Sequence, residues 1–529
     1  MMPHGGGAPG ARNWGSVAAS RACLASGIGV RWRTANPSRL HAVSPRSSAI
    51  SLFGSRFLGC SKASLLGARS LALLAATLLA WHGAARADDA QAGDDPAGDA
   101  TATAAPHLEI SGAQRTRYER LDPQFRKGFD DSDQVVALQT SVVFDWSLDA
   151  FEVVGEIMDS RGELNDEGSF VTNVVDTLEP IQAYVAWHKK KMFDDSGDST
   201  LRVGRFTLDL GKRRLIARNR YRNTVTSFLG GDWNWHDNDG RNLRLFYLMP
   251  MLIEPADTSS QLDNDVELNH TARGTRLIGA YYQLPPLADK SVVETYLFDY
   301  DVEPPQNNLA AAAHWLTAGA RVYRTPKPGG WGYEAEGVWE SGRVGGTVNG
   351  VAHSNLEQNA YFVHLEGGYA FDARMRPTLL VQYDYASGDK DPNDTTIERF
   401  NPLFGARRFD FGPTGIYGPI SRSNIDTPGL RLTLAPMARW QSTLAYRWVL
   451  LAEARDQWVG SGWTDPTGQS GRTVGKQLES SFTWTAIPNR LSIEPGVAYL
   501  ELGRFPREVQ GAAFRGDPLY FYLSVTTTF

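Results

Sequence analysis

The last eleven residues of the chain read Leu519-Tyr-Phe-Tyr-Leu-Ser-Val-Thr-Thr-Thr-Phe529. Side chains of a β-strand alternate between its two faces, and one face here would be apolar: Leu519, Phe521, Leu523, Val525 and Phe529. The edge strand of a soluble sheet could show the same alternation. A strand that runs to the final residue and ends in an aromatic side chain is, however, typical of the strand that closes a membrane β-barrel, because a bilayer tolerates no unpaired sheet edge.

Alternating segments of about ten residues recur through the chain from Leu108 onward. The pattern predicts strands within residues 136–146, 151–157, 181–187, 243–249, 316–322, 333–339, 361–371, 377–385, 430–434, 440–450, 474–484 and 491–499. Short turns join some pairs, as at 369–377 and 434–439. Long polar stretches join others, at 159–178, 254–273, 388–428 and 453–472. Short turns on one side and long loops on the other are typical of an outer-membrane barrel.

The fold class that this pattern predicts is all-β, a transmembrane antiparallel β-barrel of about 18 strands with short periplasmic turns and long extracellular loops. The charged residues on the polar faces decide against a soluble sandwich, because a sandwich core would have to bury them whereas a water-filled lumen keeps them solvated. No later stretch approaches ~18 uncharged apolar residues, which excludes a helical membrane protein. The aromatic content of 11% agrees with the aromatic girdles of such barrels.

The first 87 residues differ from the rest in charge, since they contain ten basic residues and no acidic one. Residues 70–81 form an apolar core after Lys62 and Arg69, and Ala85-Arg86-Ala87 supplies a small-residue cleavage site. We interpret residues 1–87 as a removed N-terminal extension and signal peptide of a Gram-negative outer-membrane protein. Residues 88–107 would be a disordered periplasmic lead-in, and residues 108–529 the transmembrane barrel.

The removed segment also holds both cysteines, Cys23 and Cys60. The mature chain is therefore predicted to have no disulfide, no Cys-ligated metal and no thiol catalysis. Ten of the 53 basic residues leave with this segment, so 43 basic residues face 59 acidic ones and the net charge becomes −16. Such acidity argues against nucleic acid as a partner, although it leaves room for a locally positive pore.

The densest group of positive charges lies between Arg202 and Arg222, where seven Arg and one Lys stand with a single acid, Asp209. We expect a strand here with Phe206, Leu208 and Leu210 on the lipid side and Arg205, Thr207 and Asp209 in the lumen. The arginines could form lumen salt bridges with glutamates at 152, 156, 334 and 336. They could instead form a positive constriction, because the planar guanidinium binds carboxylates through two parallel hydrogen bonds.

Two stretches resemble the alginate export family of outer-membrane porins. The first is Arg202-Val-Gly-Arg205 with Leu210-Gly and Arg218-Asn-Arg-Tyr-Arg-Asn-Thr224, and the second is Tyr385-Ala-Ser-Gly-Asp-Lys-Asp-Pro-Asn-Asp394 with Phe400-Asn-Pro-Leu-Phe404. The resemblance runs with interruptions from about Glu109 to Phe529. It implies an 18-stranded barrel, lined by arginines and a few acids, that passes an anionic polysaccharide outward. It carries over Arg205 and Arg222 most directly as lumen arginines.

The predicted function is an outer-membrane channel with an arginine-lined lumen, through which an anionic, alginate-like polysaccharide or a related anion diffuses passively. The substrate-binding residues that we expect to set selectivity are Arg205, Arg213, Arg214, Arg218 and Arg222. An inward diffusion porin for small anionic nutrients is the alternative within transport. A structural or adhesive barrel and a barrel enzyme are alternatives of other classes.

We do not expect an enzyme, because the seven histidines after residue 87 form no recognisable set with Ser or with paired Asp. The expected partners are outer-membrane lipid and the barrel-assembly machinery. The terminal strand with its aromatic last residue resembles the assembly signal of outer-membrane barrels. The expected state is a monomer.

Calcium is the one cofactor that the sequence suggests. Asp389, Asp391 and Asn393 have the Asp-x-Asp-x-Asn spacing of a calcium-binding loop. The glycine expected after the fifth position is missing, and Phe400 stands where the paired Glu belongs. An Asx-rich turn at the start of a long loop is therefore the alternative.

Overall fold

The structure is a computed structural model that describes residues 105–129, 131–165, 174–193, 197–304, 308–512, 514 and 516–529. The predicted signal peptide, both cysteines and most of the predicted lead-in lie outside these described residues.

Eighteen antiparallel strands close into a barrel, which confirms the fold class predicted from the alternating pattern. The barrel strands are β1 (His107–Asp122), β2 (Asp133–Leu148), β3 (Phe151–Glu163), β4 (Asp176–Lys189), β5 (Gly197–Phe206), β6 (Phe228–Asp237), β7 (Asn242–Leu252), β9 (Thr275–Gln283), β10 (Val292–Val302), β11 (Ala313–Arg324), β12 (Gly330–Val348), β13 (Val351–Ala370), β14 (Thr378–Ala386), β16 (Ile425–Met437), β17 (Trp440–Leu450), β18 (Thr473–Ile487), β19 (Leu491–Leu502) and β20 (Leu519–Thr528).

Several shorter elements lie in the connections between these strands. Among the described residues they are the two-residue strands β8 (His270–Thr271) and β15 (Thr396–Ile397), helices at Thr258–Asp263, Arg408–Phe411 and Arg504–Glu508, and a 3-10 turn at Leu309–Ala311. No helix in the described part of the chain is long and apolar enough to cross a membrane.

The last strand closes the barrel against the first. β20 pairs antiparallel with β1 from Ala113↔Thr528 to Asp122↔Leu519, and with β19 on its other side. Beyond the last of these pairs, the backbones of Gly112 and Phe529 exchange two hydrogen bonds of 3.0 Å. The sheet formed by the barrel strands therefore has no free edge, as a bilayer requires.

Burial alternates along the strands, and the terminal strand shows the pattern clearly. Leu519, Phe521 and Leu523 are exposed, whereas Tyr520 and Tyr522 between them are buried. A tilted strand of ten residues rises about 26 Å, close to the ~25 Å apolar band of outer-membrane barrels. The exposed apolar face therefore fits the hydrocarbon region of the membrane, and the alternate residues point into the lumen.

The connections also alternate in length. Eight short turns, at 149–150, 190–196, 238–241, 284–291, 325–329, 371–377, 438–439 and 488–490, lie at the end that holds both ends of the barrel sequence. The other end carries the longer connections, among them 207–227, 253–274, 387–424 and 451–472. Short turns face the periplasm in barrels of this kind, so the longer loops belong to the extracellular side.

One expectation about a wall segment is wrong. Phe206, Leu208 and Leu210 do not face the lipid, since all three are buried in a cluster inside the barrel. The strand β5 ends at Phe206, and the chain turns inward where Gly211 and Arg213 adopt positive φ values of 50° and 62°. Residues 207–227 thus form a loop within the lumen rather than a continuation of the wall.

Candidate functional site in the lumen

Two long connections fold into the barrel and pack on each other. We call residues 207–227 inner loop 1 and residues 387–424 inner loop 2. The backbone N–H of Phe404 donates to the carbonyl of Leu215 at 2.8 Å, and that of Ala406 donates to Arg213 at 2.9 Å. Apolar residues of both loops, including Leu215 and Ile420, join one buried cluster with wall residues. The two loops therefore narrow the lumen together.

Arg214 of inner loop 1 is fully engaged in ion pairs. Its side chain is 2% exposed, and its guanidinium bonds to Glu334, to Glu336 at 2.6 Å and to Asp410 at 2.9 Å. Glu334 and Glu336 belong to the wall strand β12, whereas Asp410 belongs to inner loop 2. Arg214 therefore ties both inner loops to one side of the barrel.

Asp410 is the central anchor of inner loop 2. Its carboxylate accepts hydrogen bonds from Arg214 and Arg422, and its backbone carbonyl accepts them from Arg447 at 3.1 Å and Arg431 at 2.8 Å. Burial alone would raise the pKa of Asp410, but the guanidiniums of Arg214 and Arg422 outweigh it and hold that pKa well below its ordinary range. The carboxylate is therefore charged at neutral pH and fixes the loop in the lumen.

Two more of the expected selectivity residues are paired. Arg205 on β5 bonds to Glu179 and to the hydroxyl of Ser227 at 3.1 Å, and it is only 8% exposed. Arg218 bonds to Glu156 at 2.7 Å. The salt-bridge interpretation therefore describes the contacts of Arg205, Arg214 and Arg218, although the partner of Arg205 was not among the four glutamates expected.

Arg213 and Arg222 differ from the other three. Both are partly exposed, and neither has a carboxylate within salt-bridge distance among the described residues. The guanidinium carbon of Arg213 lies 5.3 Å from the ring centre of Phe409, a cation–π contact. Burial lowers the pKa of Arg222, which is the effect of placing a cation in a confined site without a counter-charge.

Arg407 of inner loop 2 lies beside Arg222. Burial first, and then the neighbouring cations Arg222 and Arg126, lower the pKa of Arg407 to about 9. The guanidinium of Arg407 donates to the carbonyl of Ile420 at 3.2 Å, and in the part of the chain that the structure describes no carboxylate pairs with it. Arg222 and Arg407 thus form a site of concentrated positive charge.

Arg115 and Arg126 extend this positive site. Arg115, on β1, donates to the backbone carbonyls of Arg220 and Arg222 at 2.7 and 2.6 Å. Arg126 donates to the carbonyl of Ile416 at 2.6 Å, and burial lowers its pKa to about 10. Neither forms an ion pair with a described residue. Arg115, Arg126 and Arg407 are thus bonded to carbonyl groups, and together with Arg222 they form a group of four arginines without an ion-pair partner among the described residues.

Among the described residues, one cluster of three ligating side chains could be compared with a metal site. Ligand atoms of His364, Asp384 and Asp410 lie within 4.8 Å of one another, and all three residues are buried. His364 Nδ1 lies 2.7 Å from Asp384, whose other oxygen accepts from Arg447 at 3.0 Å. Because guanidiniums already neutralise both carboxylates, the cluster fits a buried ion-pair network better than a divalent cation.

The calcium site stays a prediction. Asp391 Oδ1 accepts the backbone N–H of Asn393 at 3.2 Å, which is an Asx turn. The carboxylate of Asp389 is buried near Asp456, and burial, followed by Asp456, raises the pKa of Asp389 to about 6. One oxygen of Asp389 is buried without a hydrogen-bond partner.

Sequence reasoning missed Arg115, Arg126, Arg407 and Asp410. A usable signal was the composition of residues 400–424, which include Phe404, Phe409, Phe411, Ile416, Tyr417 and Ile420. An extracellular loop of this length would rarely expose so many large apolar side chains. Such a loop is more simply accommodated inside the barrel, where its charged residues become lumen residues.

A closed 18-stranded barrel with an apolar outer face and charged loops inside its lumen defines an outer-membrane channel. Its sequence places it more narrowly. The chain belongs to the alginate export family, whose model, described as "Alginate export", matches residues 107–515. This finding confirms the resemblance that the two arginine-rich and aspartate-rich stretches indicated.

Solved structures show the same fold at low sequence identity. OccAB1 of Acinetobacter baumannii is 13% identical with a TM-score of 0.51, over 80% of this chain and 96% of that one. OccK8 (OprE) of Pseudomonas aeruginosa is 12% identical with a TM-score of 0.50, over 80% of this chain and 98% of that one. No curated protein sequence matches the chain.

Proposed function

We propose that this outer-membrane channel passes an anionic polysaccharide, or an anion of related chemistry, by passive diffusion through a lumen whose selectivity is set by unpaired arginines. The observation that carries the proposal is the pair Arg222 and Arg407. Both are partly exposed and lie close together without a carboxylate partner in the described chain. Residues 88–529 carry a net charge of −16, so this pair reverses the overall sign locally.

The unpaired arginines matter more for selectivity than the paired ones. An arginine bonded to a buried glutamate presents little net field, whereas an unpaired cation in a low-dielectric enclosure focuses its field on the lumen. A permeating carboxylate could replace the missing counter-charge of Arg222 and Arg407 through two-pronged hydrogen bonds. Several such contacts in sequence let an anion bind and leave stepwise.

The number of cations without an ion-pair partner among the described residues supports a polymer as the substrate class. Arg115 and Arg126 add two further cations that are bonded to carbonyl groups rather than carboxylates. An acidic polysaccharide has carboxylates on successive sugars and could occupy several of these positions together. Membership of the alginate export family supports the same substrate class.

The test is the ion selectivity of the channel in planar bilayers. We expect the parent to prefer chloride over potassium, and Arg222→Gln with Arg407→Gln to lower that preference several-fold. Added oligouronate should block the parent and not the double variant, and the block should weaken as salt rises because the Debye length shortens. The matched control is Arg273→Gln with Arg343→Gln, which removes the same charge from exposed positions outside the inner loops.

A parent channel that prefers cations would contradict the proposal. So would oligouronate block that persists unchanged in the Arg222/Arg407 variant, or a control variant that loses selectivity to the same extent.

A further inference from the structure

The short turns at the periplasmic end differ in charge between the two halves of the barrel. Four successive turns, at 325–329, 371–377, 438–439 and 488–490, contain five basic residues and one acidic residue. The other four, at 149–150, 190–196, 238–241 and 284–291, contain four basic and five acidic residues. Positive charge is therefore concentrated along one arc of the rim, which we call the basic arc.

Four basic side chains of this arc are exposed and form no ion pair with a described residue. Lys327, Arg374, Arg376 and Arg439 are all exposed, and the structure shows no carboxylate within salt-bridge distance of any of them across the residues it describes. Some exposed cations elsewhere, such as Lys390 and Arg504, do have such partners, whereas Lys190 and Lys290 on the other half of the rim have none among the described residues. The arc therefore presents charge that the protein itself does not neutralise.

An aromatic and apolar band lies directly beside the arc on the membrane face. Trp331 is 68% exposed and its ring centre lies 5.2 Å from that of Tyr369, which in turn contacts Phe371 at 4.9 Å. Met375 and Met437 project from the turns of the arc and are also exposed. Aromatic rings of this kind occupy the headgroup level of a bilayer, which places the basic arc at the phosphate level of the periplasmic leaflet.

A groove on the same wall lies further up the strands. It has a volume of about 420 Å³ and is lined by the small residues Ala318, Ala320 and Gly337 and by Trp339 and Tyr361. The ring of Trp339 is fixed by a hydrogen bond of 3.0 Å to Asn359. Gly337 lies seven residues above the start of β12, a height of about 18 Å on a tilted strand. That height is past the middle of the ~25 Å apolar band, and a long acyl chain reaches it when fully extended from a headgroup at the turns.

We propose that the basic arc and the groove above it bind anionic phospholipid of the periplasmic leaflet. Successive turns of the arc lie two strands, ~10 Å, apart, so the phosphates of neighbouring lipids contact Lys327, the pair Arg374 and Arg376, and Arg439 separately. The acyl chains pack against the aromatic band and into the groove. Guanidiniums suit phosphate because their planar fork forms paired hydrogen bonds with its oxygens. Basic clusters at a membrane surface select anionic over neutral headgroups by the same charge attraction.

A lipid fits the arc better than the other occupants. The charge lies at the foot of an apolar, aromatic wall, which is the pattern of an amphiphile rather than of a soluble polyanion. Residues 88–99 of this chain contain five Asp and no basic residue, but an acidic segment would leave the adjoining apolar groove unfilled. A second copy of the chain is a poor occupant, because a symmetric dimer through this surface would place one basic arc against another.

The test uses the full folded protein in a nonionic detergent, with equimolar phosphatidylglycerol and phosphatidylcholine of identical acyl chains. Native mass spectrometry should show phosphatidylglycerol bound in preference by about fivefold or more. Arg374→Gln with Arg376→Gln and Arg439→Gln should remove most of this preference. The matched control, Lys190→Gln with Lys191→Gln and Lys290→Gln, removes the same charge from exposed positions on the other half of the rim and should keep it.

The preference of the parent should also fall as salt is raised, which tests the charge attraction without a variant. Equal binding of the two lipids by the parent would overturn the proposal, as would equal losses in the arc and control variants. A preference that emerges only after residues 88–99 are deleted would identify the chain's own acidic segment as the occupant. A dimer that dissociates in the arc variant, without any lipid preference, would identify a second copy.

Discussion

At the scale of single residues, the arginines of the lumen divide into two groups by their neighbours. Arg205 represents the first group, because its guanidinium bonds to Glu179, which is fully buried, and to Ser227. Arg222 represents the second, since it has no carboxylate within salt-bridge distance among the described residues and has Arg407 as a neighbouring cation. The number of arginines in a stretch therefore overstates the positive field in the lumen, because those paired with carboxylates contribute little to it.

This division predicts that Arg205 is structural. Arg205→Gln would leave the carboxylate of Glu179 buried without its counter-charge, which costs ~3–5 kcal/mol for a buried pair. We expect a lower unfolding midpoint in denaturant and an unchanged ratio of anion to cation permeability.

Adding Glu179→Gln to Arg205→Gln should recover most of the lost stability, because the buried charge is then removed as well. If Arg205→Gln alone shifted selectivity and left stability unchanged, Arg205 would belong with the permeation residues instead.

At the scale of elements, the strands form the wall and the inner loops determine how much of the lumen is open. Asp410 connects the wall to the inner loops. Its carbonyl accepts hydrogen bonds from the wall residues Arg431 and Arg447. Its carboxylate accepts them from the loop residues Arg214 and Arg422. Removing one partner from such a network leaves buried guanidiniums without a counter-charge. The position of inner loop 2 therefore depends strongly on one side chain.

Asp410→Asn should loosen inner loop 2 without unfolding the barrel. Arg422 loses its carboxylate, so the loop is destabilised by ~3–5 kcal/mol relative to its packed position. Single-channel recordings should show a higher mean conductance and frequent transitions between levels.

The control is Asp394→Asn in the same loop, whose Oδ1 accepts the N–H of Thr396 in an exposed turn and is replaced by an equivalent amide oxygen. Steady conductance at the parent level in Asp410→Asn would show that the wall arginines hold the loop through its backbone alone.

At the scale of the whole molecule, the barrel is a ring of pairwise strand contacts that closes only when β20 meets β1. The end of the chain contributes directly to this closure, since Phe529 exchanges backbone hydrogen bonds with Gly112. The ring of Phe529 occupies the space that a side chain at position 112 would need, since a Cβ atom placed on Gly112 would lie 2.4 Å from Cζ of Phe529. The absence of a side chain at Gly112 thus leaves space for the terminal aromatic ring.

Replacing Phe529 with Asp should lower the yield of folded, heat-modifiable barrel in the outer membrane several-fold, because a charged group then occupies the apolar closing position. The control is Phe193→Asp, an aromatic residue on a short turn that is 76% exposed. Equal assembly of the two variants would show that closure does not depend on the terminal aromatic residue.

The wall of this protein follows from local sequence patterns alone. The alternation of apolar and polar residues has a period of two. The lipid-facing side of the last strand can therefore be assigned from Leu519, Phe521 and Leu523 without reference to any distant residue. The same local signal located the long connections at 254–273, 388–428 and 453–472 to within a few residues. A bilayer strengthens this signal, because lipid admits only one polarity on the outer face of each strand.

The filling of the lumen, and the choice of which charges stay unpaired there, depend instead on contacts between distant parts of the chain. Residues 205–210 alternate like a strand, so nothing local showed that the chain leaves the wall after Phe206. Arg214 finds Glu334 and Asp410 at separations of 120 and 196 residues, and Arg222 is left beside Arg407 without such a partner. Pairing between residues so far apart depends on how the loops fold back into the closed barrel, and a local period of two carries no information about it.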